Sequence, residues 1–238
     1  MKRVLALDTA TEALSVALRV NGEEHGFCET VGRGHSERLV GTVQGLLDRA
    51  GCRPSDLDGL VCGTGPGSFV GVRVGVAYAK GLAAAIGMPV AGISSVELLA
   101  LGAVEPGQAG DVAVAIDARM GEVYFAAYRV GPGGPEVIHA PAVLAPEAVP
   151  LGSERDRWLG VGTGFSAYPA LADGLHRPSV PGRDLPDVRQ ALRLLDTGML
   201  QFAEPGALEP VYLRDRVALT LDERRRRAPA PDVRNDNE

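Results

Sequence analysis

The chain has 238 residues, 45% of them hydrophobic, 23% charged and only 5% aromatic, with a formal net charge of -6. That length admits one large domain or two small ones, and that balance excludes a disordered or fibrous chain. An acidic chain has no general field for nucleic acid, so any RNA contact would be local or made by a partner. Three scattered cysteines, Cys28, Cys52 and Cys62, give neither a disulfide framework nor a CxxC zinc pair, and they fit a reducing cytoplasm. The N-terminal apolar run is too short for a signal peptide, and the sequence reading finds no apolar stretch that approaches the ~20 residues of a membrane helix.

Val4 to Leu7 reads as a strand buried on both faces and ending at Asp8. Leu14 to Val20 and Glu23 to Val31 read as a hairpin around Asn21-Gly22. A helix is predicted from about Ser36 to Ala50, with Leu39, Val43, Leu46 and Leu47 on its apolar face. Leu57 to Cys62 is the next strand, and the turn Gly63-Thr64-Gly65-Pro66-Gly67-Ser68 opens a helix over Phe69 to Ile86, with Ser68 as its N-cap. Pro89 to Ile93 is a short strand, followed by a capping-box signature at Ser94 and Glu97. The Pro- and Gly-bearing stretch from Glu105 to Asp111 marks a boundary. Beyond it, strands are predicted at Val112 to Ile116, Glu122 to Val130, Val137 to His139 and Trp158 to Val161. Helices are predicted near Phe165 to Ala172 and from about Asp187 to Phe202. The organisation is therefore a lobe over residues 1–104, a second lobe over 105–221 whose last helix can pack back on the first, and a charged, disordered tail over 222–238.

Several groups are candidates for chemistry. The glycine turn presents backbone N–H groups at a helix N-terminus, which suits an anion, but it lacks the Gly-Lys-Ser/Thr of a Walker loop, and a tight structural turn explains it equally. Asp8 and Thr9 at the end of the first strand either hold a metal-bound phosphate or form an Asp/Thr turn. Asp8, Thr9, Gly65, Gly67 and Ser68 are thus the residues that would contact a nucleotide. His35 lacks a HxxxH partner, because position 39 is Leu39, and reads as a satisfied or exposed histidine. Gly92-Ile93-Ser94-Ser95-Val96 lacks the final glycine of a nucleophile elbow. Asp117 is expected to receive Arg119 or a nearby backbone N–H in the turn that follows the first strand of the second lobe.

Gly71, Gly75, Ala79 and Ala83 recur every four residues and form one ridge of small side chains, and Gly41 and Gly45 repeat the device on the first helix. Each glycine inside a helix costs ~1 kcal/mol against alanine, so close approach of another helix is the natural reason. That helix belongs either to a partner subunit or to the same chain. On the favoured partner reading these six residues are a binding surface, and Gly75→Leu blocks association while leaving the lobe folded.

Taken together, the Leu5-to-Ala13 opening, His35-Ser36-Glu37-Arg38-Leu39, Gly65-Pro66-Gly67-Ser68-Phe69-Val70-Gly71-Val72-Arg73-Val74-Gly75, Gly92-Ile93-Ser94-Ser95, Asp117-Ala118-Arg119-Met120-Gly121-Glu122-Val123-Tyr124 and Pro210-Val211-Tyr212-Leu213-Arg214 resemble the bacterial TsaB (YeaZ) family. Gly34, Val70, Gly41 and the Gly162-Thr163-Gly164 turn depart from that family's usual residues. The resemblance implies an α/β, actin/hexokinase-like (ASKHA) fold of two RNase H-like lobes. It also implies a cytoplasmic, non-catalytic subunit in the formation of N6-threonylcarbamoyladenosine at position 37 of tRNA. Its partners would be a catalytic TsaD-like subunit, bound through the first two helices, a TsaE-like ATPase, and a second copy of itself when alone. tRNA would be met only through the complex, no membrane is involved, and ATP or ADP and a divalent metal would enter only at the level of the complex. The competing classes are an ATP-using enzyme of the same fold and a peptidase-like relative.

Overall fold

A computed structural model describes residues 1–32, 34–176 and 183–214. Three antiparallel strands open the chain: β1 (Arg3–Asp8), β2 (Ala13–Val20) and β3 (Glu23–Thr30). Between β2 and β3, Asn21 and Gly22 sit at φ 51° and 95°, the left-handed pair that matches the strands' own twist. β4 (Gly59–Gly63) then pairs parallel to β1, and β5 (Val90–Ile93) parallel to β4, giving the order β3-β2-β1-β4-β5. The alternation of β1 assigns its two faces. Leu5 and Leu7 join the core under α1 (His35–Arg49) and α2 (Phe69–Ile86). Val4 and Ala6 join the opposite core with α3 (Ser95–Ala103).

The second sheet repeats this plan. β6 (Gly110–Arg119), β7 (Glu122–Gly131) and β8 (Gly134–Leu144) are antiparallel neighbours, and β9 (Trp158–Val161) lies parallel to β6, giving the order β8-β7-β6-β9. Two sheets built on the same antiparallel-then-parallel pattern in one chain are the two RNase H-like lobes of an actin/hexokinase-like α/β fold. The helices of the second lobe are minimal: α4 (Gly164–Ala167) and α5 (Arg189–Leu192) have four residues each. The helix expected near Phe165 to Ala172 is split at Pro169, which begins a separate 3-10 turn. The one expected from Asp187 to Phe202 forms only over α5, and the chain beyond it turns back on the first lobe, where Ala203 bridges Val90. The strand expected over three residues at Val137 extends over all of β8. The tail read as disordered, 222–238, lies outside the described residues.

The largest correction concerns α2. Its ridge of Gly71, Gly75, Ala79 and Ala83 is buried and faces the chain's own β1, not a partner. A Cβ on Gly71 would run into the Thr9 carbonyl oxygen, and one on Gly75 would stand 2.5 Å from Thr9 Oγ1 and 3.4 Å from Leu7. Thr9 exploits this proximity, and its hydroxyl donates to the Gly71 carbonyl at 2.7 Å. The glycines let helix and strand end touch. By length and composition α2, with a mean hydropathy of 1.4, could cross a membrane, contrary to the sequence reading, yet this ridge and its place in the core account for the apolar run. Gly71→Ala therefore trades a helix-propensity gain of ~1 kcal/mol against a backbone clash, with a net loss of about 1–3 kcal/mol. Gly75→Leu unfolds the lobe instead of sparing it. Urea unfolding of both variants checks the assignment, and unchanged midpoints would overturn it.

Candidate functional site

Two surfaces draw attention: the cleft between the lobes and the outer face of α1 and α2. The cleft encloses about 950 Å³ and lies between the glycine turn and the start of α2 on one side, the β6–β7 tip on the other, and residues Val211 to Arg214. Gly67 and Ser68, two of the candidate nucleotide residues, line it. Asp8, Thr9 and Gly65 do not; all three are buried.

The Asp8 carboxylate is turned inward and both its oxygens are engaged. The Ala10 amide donates to Oδ1 and the Ser95 hydroxyl to Oδ2, each at 2.7 Å. Gly63 leaves the room for it, because a Cβ there would overlap the carboxylate. Burial pushes the Asp8 carboxyl above its ordinary value of 3.8, against the lowering pull of Ser95, Ala10 and the His35 charge. An acid that resists ionising and points away from the cleft does not fit a metal-bound phosphate. Two donors at the glycine turn are also engaged inside the protein. The Ser68 amide donates to the Ala10 carbonyl at 2.6 Å, and the Gly71 amide to Ser68 Oγ at 3.2 Å, so these donors cap the helix internally. A Cβ on Gly67 would overlap the Ala10 carbonyl, so the loop is tight because it packs on that backbone.

The remaining candidates are also accounted for. His35 is buried at the start of α1, and its Nε2 stands 3.1 Å from the Ala13 carbonyl, a satisfied histidine. The Ser94 hydroxyl donates to the Gly65 carbonyl at 3.0 Å, while the Ser94 amide donates to Glu97, the only half of the capping box seen in the hydrogen bonds. Asp117 accepts the Arg119 amide at 2.8 Å and pairs with its guanidinium at 2.9 Å. Arg119, Met120 and Gly121 all have left-handed backbones, at φ 63°, 60° and 82°, beside a register shift in the ladder, and this tip carries Arg119 and Met120 to the cleft. Among the described residues no group of three or more His, Cys, Asp or Glu side chains could hold a metal.

The outer face was readable only in part. Gly41 and Gly45 lie where predicted, and Cβ atoms on them, or on Gly81 of α2, would meet nothing within 4 Å. On α2 the outward stripe is Ala77, Gly81 and Ala84, the side opposite the predicted ridge, while Val70 at the start of the helix lines the cleft. Val40 adds an exposed apolar residue on α1. The two helices cover one side of the sheet, and no further layer of the described chain covers their outer face, where the small residues stand among exposed Glu37, Gln44 and Asp48.

Residues 27–157 match the family profile described as tRNA N6-adenosine threonylcarbamoyltransferase, TsaD. The chain is 39% identical over 226 residues to the tRNA threonylcarbamoyladenosine biosynthesis protein TsaB of Escherichia coli, covering 91% of this chain and 96% of that protein. It is 38% identical to TsaB of Haemophilus influenzae, over 90% of this chain and 94% of that one. Among solved structures, YeaZ from Pseudomonas aeruginosa matches with a TM-score of 0.77 and 37% identity, covering 90% of this chain and 100% of that one. Similarity along nearly the whole chain, in sequence and in fold, places it in the TsaB (YeaZ) family of tRNA threonylcarbamoyladenosine biosynthesis proteins.

Proposed function

We propose that the chain is a non-catalytic subunit of the machinery that forms N6-threonylcarbamoyladenosine at position 37 of tRNA, and that it binds a TsaD-like catalytic subunit through the outer face of α1 and α2. The observation that carries the reading is that face itself: Gly41, Gly45, Ala77 and Gly81 keep side-chain bulk off two adjacent helices that nothing in the described chain covers. Small residues let a second pair of helices approach to the short end of the usual ~8–10 Å range. Val40 adds apolar area to it. The same surface serves a second copy of the chain when no partner is present, and a TsaE-like ATPase docks on the assembled pair. ATP and a divalent metal act at the level of the complex, tRNA is met there, and the setting is the cytoplasm.

The internal engagement of Asp8 supports a non-catalytic role, since the carboxylate that ends β1 is spent on Ser95 and Ala10. The same bonds weigh against a peptidase: Ser95 is fully buried with its hydroxyl on Asp8, and the Ser94 hydroxyl is on Gly65.

Gly45→Gln and Gly81→Gln place bulk in open space and replace a helical glycine, so each raises stability by about 0.5–1 kcal/mol while association with the TsaD-like subunit is lost. Co-elution on gel filtration and a thermal melt of each variant check this; retained co-elution would refute the surface. Asp8 gives a second expectation. Its folded pKa lies above 3.8, so the native state holds the proton more tightly than the unfolded chain, and the contribution of Asp8 to stability falls as pH rises from about 3.8 through the folded pKa. Asp8→Asn removes that fall, so its stability relative to wild type increases between pH 4 and 7 in urea titrations. The variant also supports tRNA modification in the reconstituted complex; a well-folded Asp8→Asn chain that abolishes modification would contradict the non-catalytic reading.

A further inference from the structure

Nine large apolar side chains are exposed among the described residues, and five of them, Phe69, Val70, Met120, Val211 and Tyr212, line the interlobe cleft. They come from three separate parts of the chain: the start of α2, the β6–β7 tip and the segment after Pro210. Their exposures run from 41% for Val211 to 67% for Val70, so water meets about half of this surface. Solvent-exposed apolar side chains scattered singly need no explanation, but convergence of this kind marks a binding site.

Arg73 is not itself one of the residues lining the cleft but stacks on two that are. Its guanidinium lies 3.2 Å from the Phe69 ring centroid and 5.1 Å from that of Tyr212, whose ring is itself 6.1 Å from Phe69. Stacking fixes the plane of the guanidinium while leaving its N–H edge to donate. The neighbouring cations are spent: Arg119 pairs with Asp117, and Arg214 with Glu122. Among the described residues no carboxylate pairs with Arg73. The cleft mouth therefore offers exposed apolar side chains with the Arg73 guanidinium stacked beside them, and the cleft wall also carries the Glu12 carboxylate.

We propose that this cleft mouth is a second docking site, distinct from the outer face of α1 and α2, and that its occupant is a protein segment presenting a bulky apolar side chain beside a carboxylate. The apolar group enters between Val70, Met120 and Val211, and the carboxylate takes the free edge of Arg73. Aromatic, methionine and arginine side chains are the types enriched where proteins bind proteins. A nucleic acid strand is the poorer match, because one free cation in an acidic chain cannot balance several phosphates.

A random 12-residue peptide library displayed on phage and panned on the full chain tests this. The selected pool is expected to pair a bulky apolar residue with Asp or Glu. Synthetic peptides from it should bind Arg73→Gln at least 10-fold more weakly than wild type, and Val70→Asp should not bind them. Changing the peptide's acid to its amide should cost as much on wild type and nothing further on Arg73→Gln. Met120→Asn, which tolerates the left-handed backbone, should also weaken binding with an unchanged melting temperature. Gly81→Gln should bind as wild type does, which separates failure here from failure of the helix-face reading. An unenriched pool, equal affinity for Arg73→Gln, loss of binding in Gly81→Gln, or displacement of the peptides by a 12-nucleotide oligouridine would each overturn the proposal.

Discussion

Both lobes depend on the burial of α3. Its nine residues include Val96, Leu98, Leu99, Ala100 and Leu101, all at most 2% exposed. A helix that is apolar all round must be enclosed. Here one side meets Val4, Ala6 and Val61 of the first sheet, and the other meets Val112, Val114 and Ala126 of the second. A buried helix carries unsatisfied carbonyls at its end. Arginines from a distant part of the chain supply the donors. Arg193 reaches the Leu101 carbonyl at 2.9 Å and that of Val104 at 3.4 Å, and Arg183 reaches that of Ala103 at 3.3 Å. Cations at a helix C-terminus also complement its dipole. This requirement explains the return of the chain after the second sheet, where the Val188 amide donates to Ser15 Oγ and Arg19 reaches the Leu192 carbonyl.

The local signals of the first lobe were legible because they rest on neighbouring residues. Asn21-Gly22 announces its hairpin, Ser68 its helix, and the alternation of Leu5 and Leu7 with Val4 and Ala6 a strand covered on both sides. The second lobe was less legible. Its short helices carry little periodicity, Pro169 interrupts one of them, and α5 is held by long-range bonds that no window of sequence contains.

The facing of α2 shows a different limit. Two stripes of small or apolar residues run along it, and periodicity alone gives each the same standing. What decides is the backbone of Thr9, sixty-two positions before Gly71, which needs a glycine against it. Gly41 and Gly45 were placed correctly because the other side of α1 is unambiguous, with Leu39, Val43, Leu46 and Leu47 all buried. Asp8, the candidate acid for a nucleotide, shows a related limit. Asp8 ends a strand as such an acid should, but Ser95, eighty-seven positions away, takes its oxygen. The cleft mouth itself was invisible, since Phe69, Met120 and Tyr212 are brought together only by the closure of the two lobes.

Residues after Pro210 span the mouth of that cleft. The Val211 amide bonds the Thr64 carbonyl, Tyr212 lies against Phe69 on the first lobe, and Arg214 holds Glu122 and the Met120 sulfur on the second. With α3 wedged between the sheets at one end and this stitch at the other, swinging the lobes apart would expose the shared core and tear the stitch together. Enzymes of two-lobed design trap and release their substrates by such swinging. A body sutured at both ends has a single outline, and what it loses in motion it returns as preorganisation: little conformational freedom remains to be surrendered when another molecule settles against it.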